Sequence, residues 1–319
     1  LKSPTHLITA GCSYSQPANK DITWPLELQH QIKSLRYVAH RGHGASGNSI
    51  ISRKVISTVL SALEQGVLPD QMLVGIMWSG CDRQSHYSEK YQRNFMRTTV
   101  IGRSQNYNEF LHEINGHTDD EPIFADITDR TERDWASNPL SIRQPRVPSH
   151  YILNPHFSDE TTVKYFESFV NPEKAIIETC EHILRTQWFL KDKGIRYFMT
   201  EYDHDVFTYM GPHPESEHYS KQTECIIDPD KYTQEKHFAY LNNPEINYLY
   251  NEIDKNYWLP IKHLQDWVTN VSEFKHRDMN PDTGLPRDPH PSTEQHKDFV
   301  AKVVLPFLLE KYNLSSYNV

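Results

Sequence analysis

Apolar positions in this chain fall into two alternating rhythms, one of strands and one of helices. Leu7 to Ala10 is a short apolar run closed by Gly11, the pattern of a buried strand that stops at a tight turn. Trp24, Leu26, Leu28 and Ile32 follow around Pro25, which a helix accepts in its first turn because the N–H it lacks has no intrahelical partner there. Leu35 to Ala39 reads as a second strand. Ile50, Ile51, Val55, Val59, Leu60 and Leu63 mark one face of a helix ending near Gly66, and Met72 to Trp78 is a third strand. Strands and helices alternating over short connections predict a parallel sheet covered by helices on both faces. The expected fold class is therefore α/β, a three-layer α/β/α flavodoxin-like parallel sheet forming one domain over residues 1–319.

The rhythm lapses twice. From Cys81 to about Asn171 the chain is polar and aromatic without a clear period, too long a stretch for an ordinary connection. It resumes as a helix over Ala175 to Leu190 and a fourth strand over Ile195 to Thr200, then lapses again from Glu201 to about Trp258. Both lapses leave the carboxyl ends of strands, where open α/β sheets hold their ligands. They are read as two long insertions, about 81–171 and 201–258, shaping a substrate cleft. The last expected element is a helix over Gln295 to Leu314, striped by Phe299, Val300, Val303, Val304, Phe307 and Leu308.

Composition narrows the function. A net charge of −9 and a pI near 6.0 would on average repel a phosphate backbone, so nucleic acid is not the expected partner. No run approaches the ~18 apolar residues of a membrane span, and no leader is visible before Leu7, which points to the cytoplasm. Cys12, Cys81, Cys180 and Cys225 lie at wide spacing, matching neither a CxxC metal motif nor a disulfide framework. Neither a metal nor another cofactor is expected.

Three segments carry candidate chemistry. Gly11-Cys12-Ser13-Tyr14-Ser15 follows the first strand, so a hydroxyl there is exposed at the sheet's carboxyl edge and near a helix start, unless Ser13 is simply a helix cap. Arg41-Gly42-His43-Gly44-Ala45-Ser46-Gly47-Asn48 follows the second strand. Its glycines let backbone N–H groups approach a ligand, as an oxyanion hole requires; the other reading is a loop that caps the next helix through Ser46 or Asn48. Asp288-Pro289-His290-Pro291-Ser292 precedes the last helix, and its prolines hold the His290 backbone in place; here the other reading is a turn with Ser292 as cap.

Taken in order, "ITAGCSYS", "GHGASGN" and "DPHPSTEQH" resemble the nucleophile, glycine and histidine blocks of the SGNH (GDSL-like) hydrolases. The resemblance implies a serine esterase or deacylase with Ser13 as nucleophile, His290 as general base and Asp288 as the triad acid, Asp282 being the fallback. It implies an oxyanion hole built from the Ser13 amide and Gly44, with Gly42 as the alternative glycine. Two departures stand out. "MWSGCDR" lacks the third-block Asn that donates to the oxyanion, which leaves Asn48 or Ser79 to substitute, and the position three before the histidine is Arg287. The implied substrate is a small-molecule or carbohydrate ester, such as an O-acetyl sugar. The competing readings are a catalytically weak or inactive carbohydrate-binding or structural protein of the same fold, and a metal-dependent hydrolase using Glu201, Asp203, His204, Asp205, His213 and His218. Cys12 is a rival nucleophile, although its side chain should point away from that of Ser13.

Overall fold

A computed structural model describes residues 3–16, 22–42, 44, 46–87, 125–126, 150–153, 164–165, 168–203, 206–207, 242–274, 278–279, 286–288, 290–312 and 314. For residues 85–87, 125–126, 150–153, 278–279 and 286–288 it describes the backbone alone.

The first three predicted strands form where the apolar runs place them, as β1 (His6–Ala10), β2 (Tyr37–His40) and β3 (Met72–Trp78). β2 begins at Tyr37 because Leu35 closes a turn, its N–H donating to Ile32 O. Three short strands follow in the segment read as patternless: β4 (Gln84–Tyr87), β5 (Ala125–Asp126) and β6 (His150–Leu153). The fourth predicted strand is β7 (Arg196–Glu201). The sheet order is β5-β2-β1-β3-β7, with β2, β1, β3 and β7 parallel and β5 antiparallel on the edge. β4 and β6 pair antiparallel in a separate ladder, as do β8 (Asp278–Met279) and β9 (Pro286–Asp288). β3 is buried at all seven positions, as expected of a central parallel strand with no solvent face.

Successive strand residues feed two separate cores. Ile8, Val74, Ile76 and Met199 pack with Val55, Val59, Ile176 and Ile183 from the helices α2 (Asn48–Glu64) and α3 (Pro172–Asp192). Leu7, Leu73, Met77 and Phe198 pack with Trp24 and Leu28 of α1 (Trp24–Gln31) and with Phe299, Val300 and Val304 near the carboxyl end. The alternation follows from strand geometry, in which neighbouring side chains point to opposite faces. α2 ends at Gly66, which takes φ +84°, a conformation that costs glycine little. Among the described residues no helix is long and apolar enough to cross a membrane.

Three features went unread in the sequence. Helices α4 (Pro244–Glu252) and α5 (Leu264–Asn270) cover short stretches with few apolar repeats. Trp258 bridges Met199 beside β7, and Leu259 N–H donates to Met199 O. The last helix is also not uniform, since α6 (Thr293–Phe299) passes through a π turn at Val300–Val304 into α7 (Leu305–Tyr312). The turn widens the helix by one residue, which shifts the register of the apolar stripe beyond it.

A buried histidine ties this framework together. His40 Nδ1 lies 2.7 Å from Thr9 Oγ1 on β1, and its Nε2 lies 2.7 Å from Gln29 Oε1 on α1. Burial, reinforced by the neighbouring Arg41 charge, pushes its pKa down to about 3, so it is neutral there.

Candidate functional site

The loops after β1 and β2 meet the segment before α6 at the carboxyl edge of the sheet. Ser13 opens a short 3-10 turn, Ser13–Ser15, rather than a helix, and the residue capping that turn is Cys12, with no side-chain bond. The Ser13 hydroxyl is thus not spent on a cap. Trp24 Nε1 donates to Ser15 Oγ at 2.9 Å and fixes the turn against α1. Ser13 is itself only partly buried.

His290 reaches this turn through anchoring of the chain behind it. Ser292 caps α6 and forms a reciprocal capping box with Gln295, whose Nε2 donates in turn to Val268 O and Phe274 O. Ile22 N–H donates to Thr293 Oγ1, joining the start of α1 to the start of α6. The capping role open to Ser292 is therefore taken up, and it is compatible with His290 reaching the turn. The result is a distance of 2.8 Å between Ser13 Oγ and His290 Nε2, across 277 residues of sequence. With Nε2 unprotonated the hydroxyl donates to it, and the proton lies within transfer reach. Tyr14 braces the pair. Its ring lies 4.8 Å from the imidazole at a 35° tilt, and its hydroxyl donates to Gln265 Oε1.

Cys12, the rival nucleophile, is wholly buried in the core that includes Leu7 and Trp24, while Ser13 faces His290. Asp288 lies in β9 with only its backbone described; its side chain, Asp282 and His43 lie outside the described residues.

The glycine loop divides into two roles. A Cβ built on Gly42 would overlap Ser15 O and lie 2.9 Å from Gln16 N, so Gly42 is spent on close packing against the Ser13 turn. A Cβ on Gly44 would lie 4.0 Å from Ser13 Cβ, which places Gly44 beside the Ser13 side chain. The Gly44 N–H donates to Gln16 Oε1 at 2.6 Å. Sequence reasoning missed Gln16, because a lone glutamine after a turn carries no pattern.

Asn48 and Ser79, the two candidate substitutes for the missing third-block Asn, are bonded to each other. Asn48 Nδ2 donates to Ser79 O at 2.8 Å and to Thr179 Oγ1, while Asn48 Oδ1 accepts from Ser79 N–H at 2.8 Å. Both amide protons of Asn48 are committed, and Ser79 is fully buried. This corrects the expectation that Asn48 or Ser79 completes an oxyanion hole. Asn48 does not cap α2 either, as Gly47 holds the cap position without a side-chain bond. Its carboxamide holds the end of β3 to the start of α2. Asn48→Ala strands the buried Ser79 N–H and C=O and is expected to cost about 1–3 kcal/mol, visible as a lower urea midpoint at unchanged m-value.

Beyond Ser79 the chain carries Asp82, which is fully buried and has no hydrogen-bond partner for either carboxylate oxygen among the described residues. Burial raises its pKa to about 6 against the opposing Arg83 charge. The folded value lies above the unfolded one of 3.8, so this group favours folding only while protonated and costs stability as pH rises from about 4 past 6. Asp82→Asn is expected to gain up to about 3 kcal/mol at pH 7.5 and little at pH 4. Urea melts at the two pH values check this, and an equal gain at both would show that charge is not the cause.

Of the acidic and histidine residues considered for a metal, Asp203 lies 3.7 Å from His263, and His204, Asp205, His213 and His218 lie outside the described residues. Among the described residues no three His, Cys, Asp or Glu side chains are placed to hold a metal ion. No family model, no curated protein and no solved structure matches this chain.

Proposed function

We propose that this chain is a serine hydrolase of the SGNH type that cleaves an acyl ester, its four parallel strands and helices forming a flavodoxin-like α/β/α sandwich. The segments 81–171 and 201–258 act as insertions that line the substrate cleft. The observation that carries this reading is the 2.8 Å approach of Ser13 Oγ to His290 Nε2 beside Gly44.

In this mechanism His290 Nε2 takes the Ser13 proton as Oγ attacks the ester carbonyl carbon. The amides of Ser13 and Gly44 receive the oxyanion of the tetrahedral intermediate, and Asp288 orients the imidazolium. Collapse expels the alcohol, which takes the proton from His290. Water, deprotonated by His290, then releases the acid from the acyl-enzyme. A small acyl group such as acetyl on a carbohydrate hydroxyl is the substrate class proposed.

Hydrolysis of p-nitrophenyl acetate by the purified protein tests the reading, with Ser13→Ala and a chelator as parallel arms. Turnover that disappears with Ser13 and survives the chelator is expected. Turnover lost to the chelator would favour metal chemistry instead. No turnover at all would favour the non-catalytic reading, in which the committed Asn48 leaves the site too poor in oxyanion donors.

A further inference from the structure

The donor proposed for the acyl oxygen already has an acceptor. Gly44 N–H donates to Gln16 Oε1 at 2.6 Å, a short bond for an amide pair. Gln16 Oε1 also lies 3.3 Å from the Cβ position of Gly44, and Ser13 Cβ lies 4.0 Å from the same point. Gln16 N–H donates to Ser13 O, so the glutamine leaves the same turn that presents the hydroxyl. A carboxamide oxygen and an ester carbonyl oxygen are both sp² acceptors, and one N–H serves both poorly at once.

We propose that Gln16 sets the affinity of this site for acyl substrates, its carboxamide oxygen holding in the free protein the subsite beside Ser13 that the substrate's carbonyl oxygen takes. The inference rests on the esterase reading and adds the residue that governs substrate entry. Binding exchanges one carbonyl for another at Gly44, and the fraction of molecules with Gln16 swung away scales the apparent affinity. An oxygen that develops negative charge competes better than a neutral amide, so the exchange favours the transition state over the ground state.

The tests use Gln16→Ala and Gln16→Glu in the full chain. With ¹⁵N-glycine labelling, which gives 12 glycine sites, the Gly44 amide should exchange with solvent faster in Gln16→Ala than in the wild type. On p-nitrophenyl acetate, Gln16→Ala should lower KM by about threefold to tenfold without loss of kcat, and phenylboronic acid should inhibit it more tightly by a similar factor. Gln16→Glu should raise KM at neutral pH, because a carboxylate holds the Gly44 N–H more strongly than an amide does.

A residue with a merely structural role would not improve the enzyme when removed. Loss of kcat in Gln16→Ala at unchanged KM would show that the carboxamide donates to the oxyanion and would overturn the proposal. So would Ser13-dependent turnover that is flat across the Gln16 series. Absence of Ser13-dependent turnover in the wild type would defeat the esterase reading and this inference with it.

Discussion

Ser13→Ala and His290→Ala are each expected to lower kcat/KM on p-nitrophenyl acetate by about 10³-fold or more, and the double variant by little beyond either single one. The two groups lie 2.8 Å apart, and in the proposed mechanism they act on one proton, so removing either would leave the other without a role. Rates that multiply in the double variant would mean that the two side chains act separately. Because Ser13 is partly exposed and its hydroxyl caps nothing, Ser13→Ala should leave the melting temperature near that of the wild type. Activity lost together with stability would point to a structural contact instead.

Gly47→Ala is expected to have the largest effect on the fold. Gly47 opens α2, and a Cβ there would overlap the carbonyl oxygen of Arg83 and lie 3.0 Å from its carbon. The obstacle is backbone, which has no rotamer to move aside, so the loops after β2 and β3 must separate. Overpacking of this kind costs about 1–3 kcal/mol or more, a drop of several degrees in melting temperature in a chain of this size. Gly44→Ala is the control from the same loop. Its nearest neighbour is the end of the Gln16 side chain, which can yield, so little change in melting temperature is expected. Equal losses at the two positions would show that close approach is not what the loop requires at Gly47.

The sheet was legible because burial imposes a period. Met72–Trp78 is apolar throughout since both faces of β3 are covered, and the stripe from Ile50 to Leu63 repeats because only one side of α2 is. The meeting of Ser13 with His290 was legible through the resemblance of the segments around them to the SGNH blocks, and the topology accounts for it. Strand ends and helix starts gather at one edge of a parallel sheet, so residues flanking them are brought near whatever their distance in sequence. What stayed hidden depends on single side chains. The Asn48 carboxamide spends itself on Ser79, and the Gln16 oxygen finds Gly44, through contacts that no period announces. The short strands β4, β5 and β6 were missed because each needs a partner from elsewhere to form at all, and such pairing leaves little trace in local sequence.

The sequence separation of 277 between the hydroxyl and the imidazole also bears on biosynthesis. A ribosome must pass His290 before the pair can meet, so every nascent chain shorter than this carries Ser13 without its partner imidazole. By then β1, β2, β3 and β7 have all been made and can have paired. The pair can therefore form only once α6 docks on α1, where Ile22 N–H finds Thr293 Oγ1.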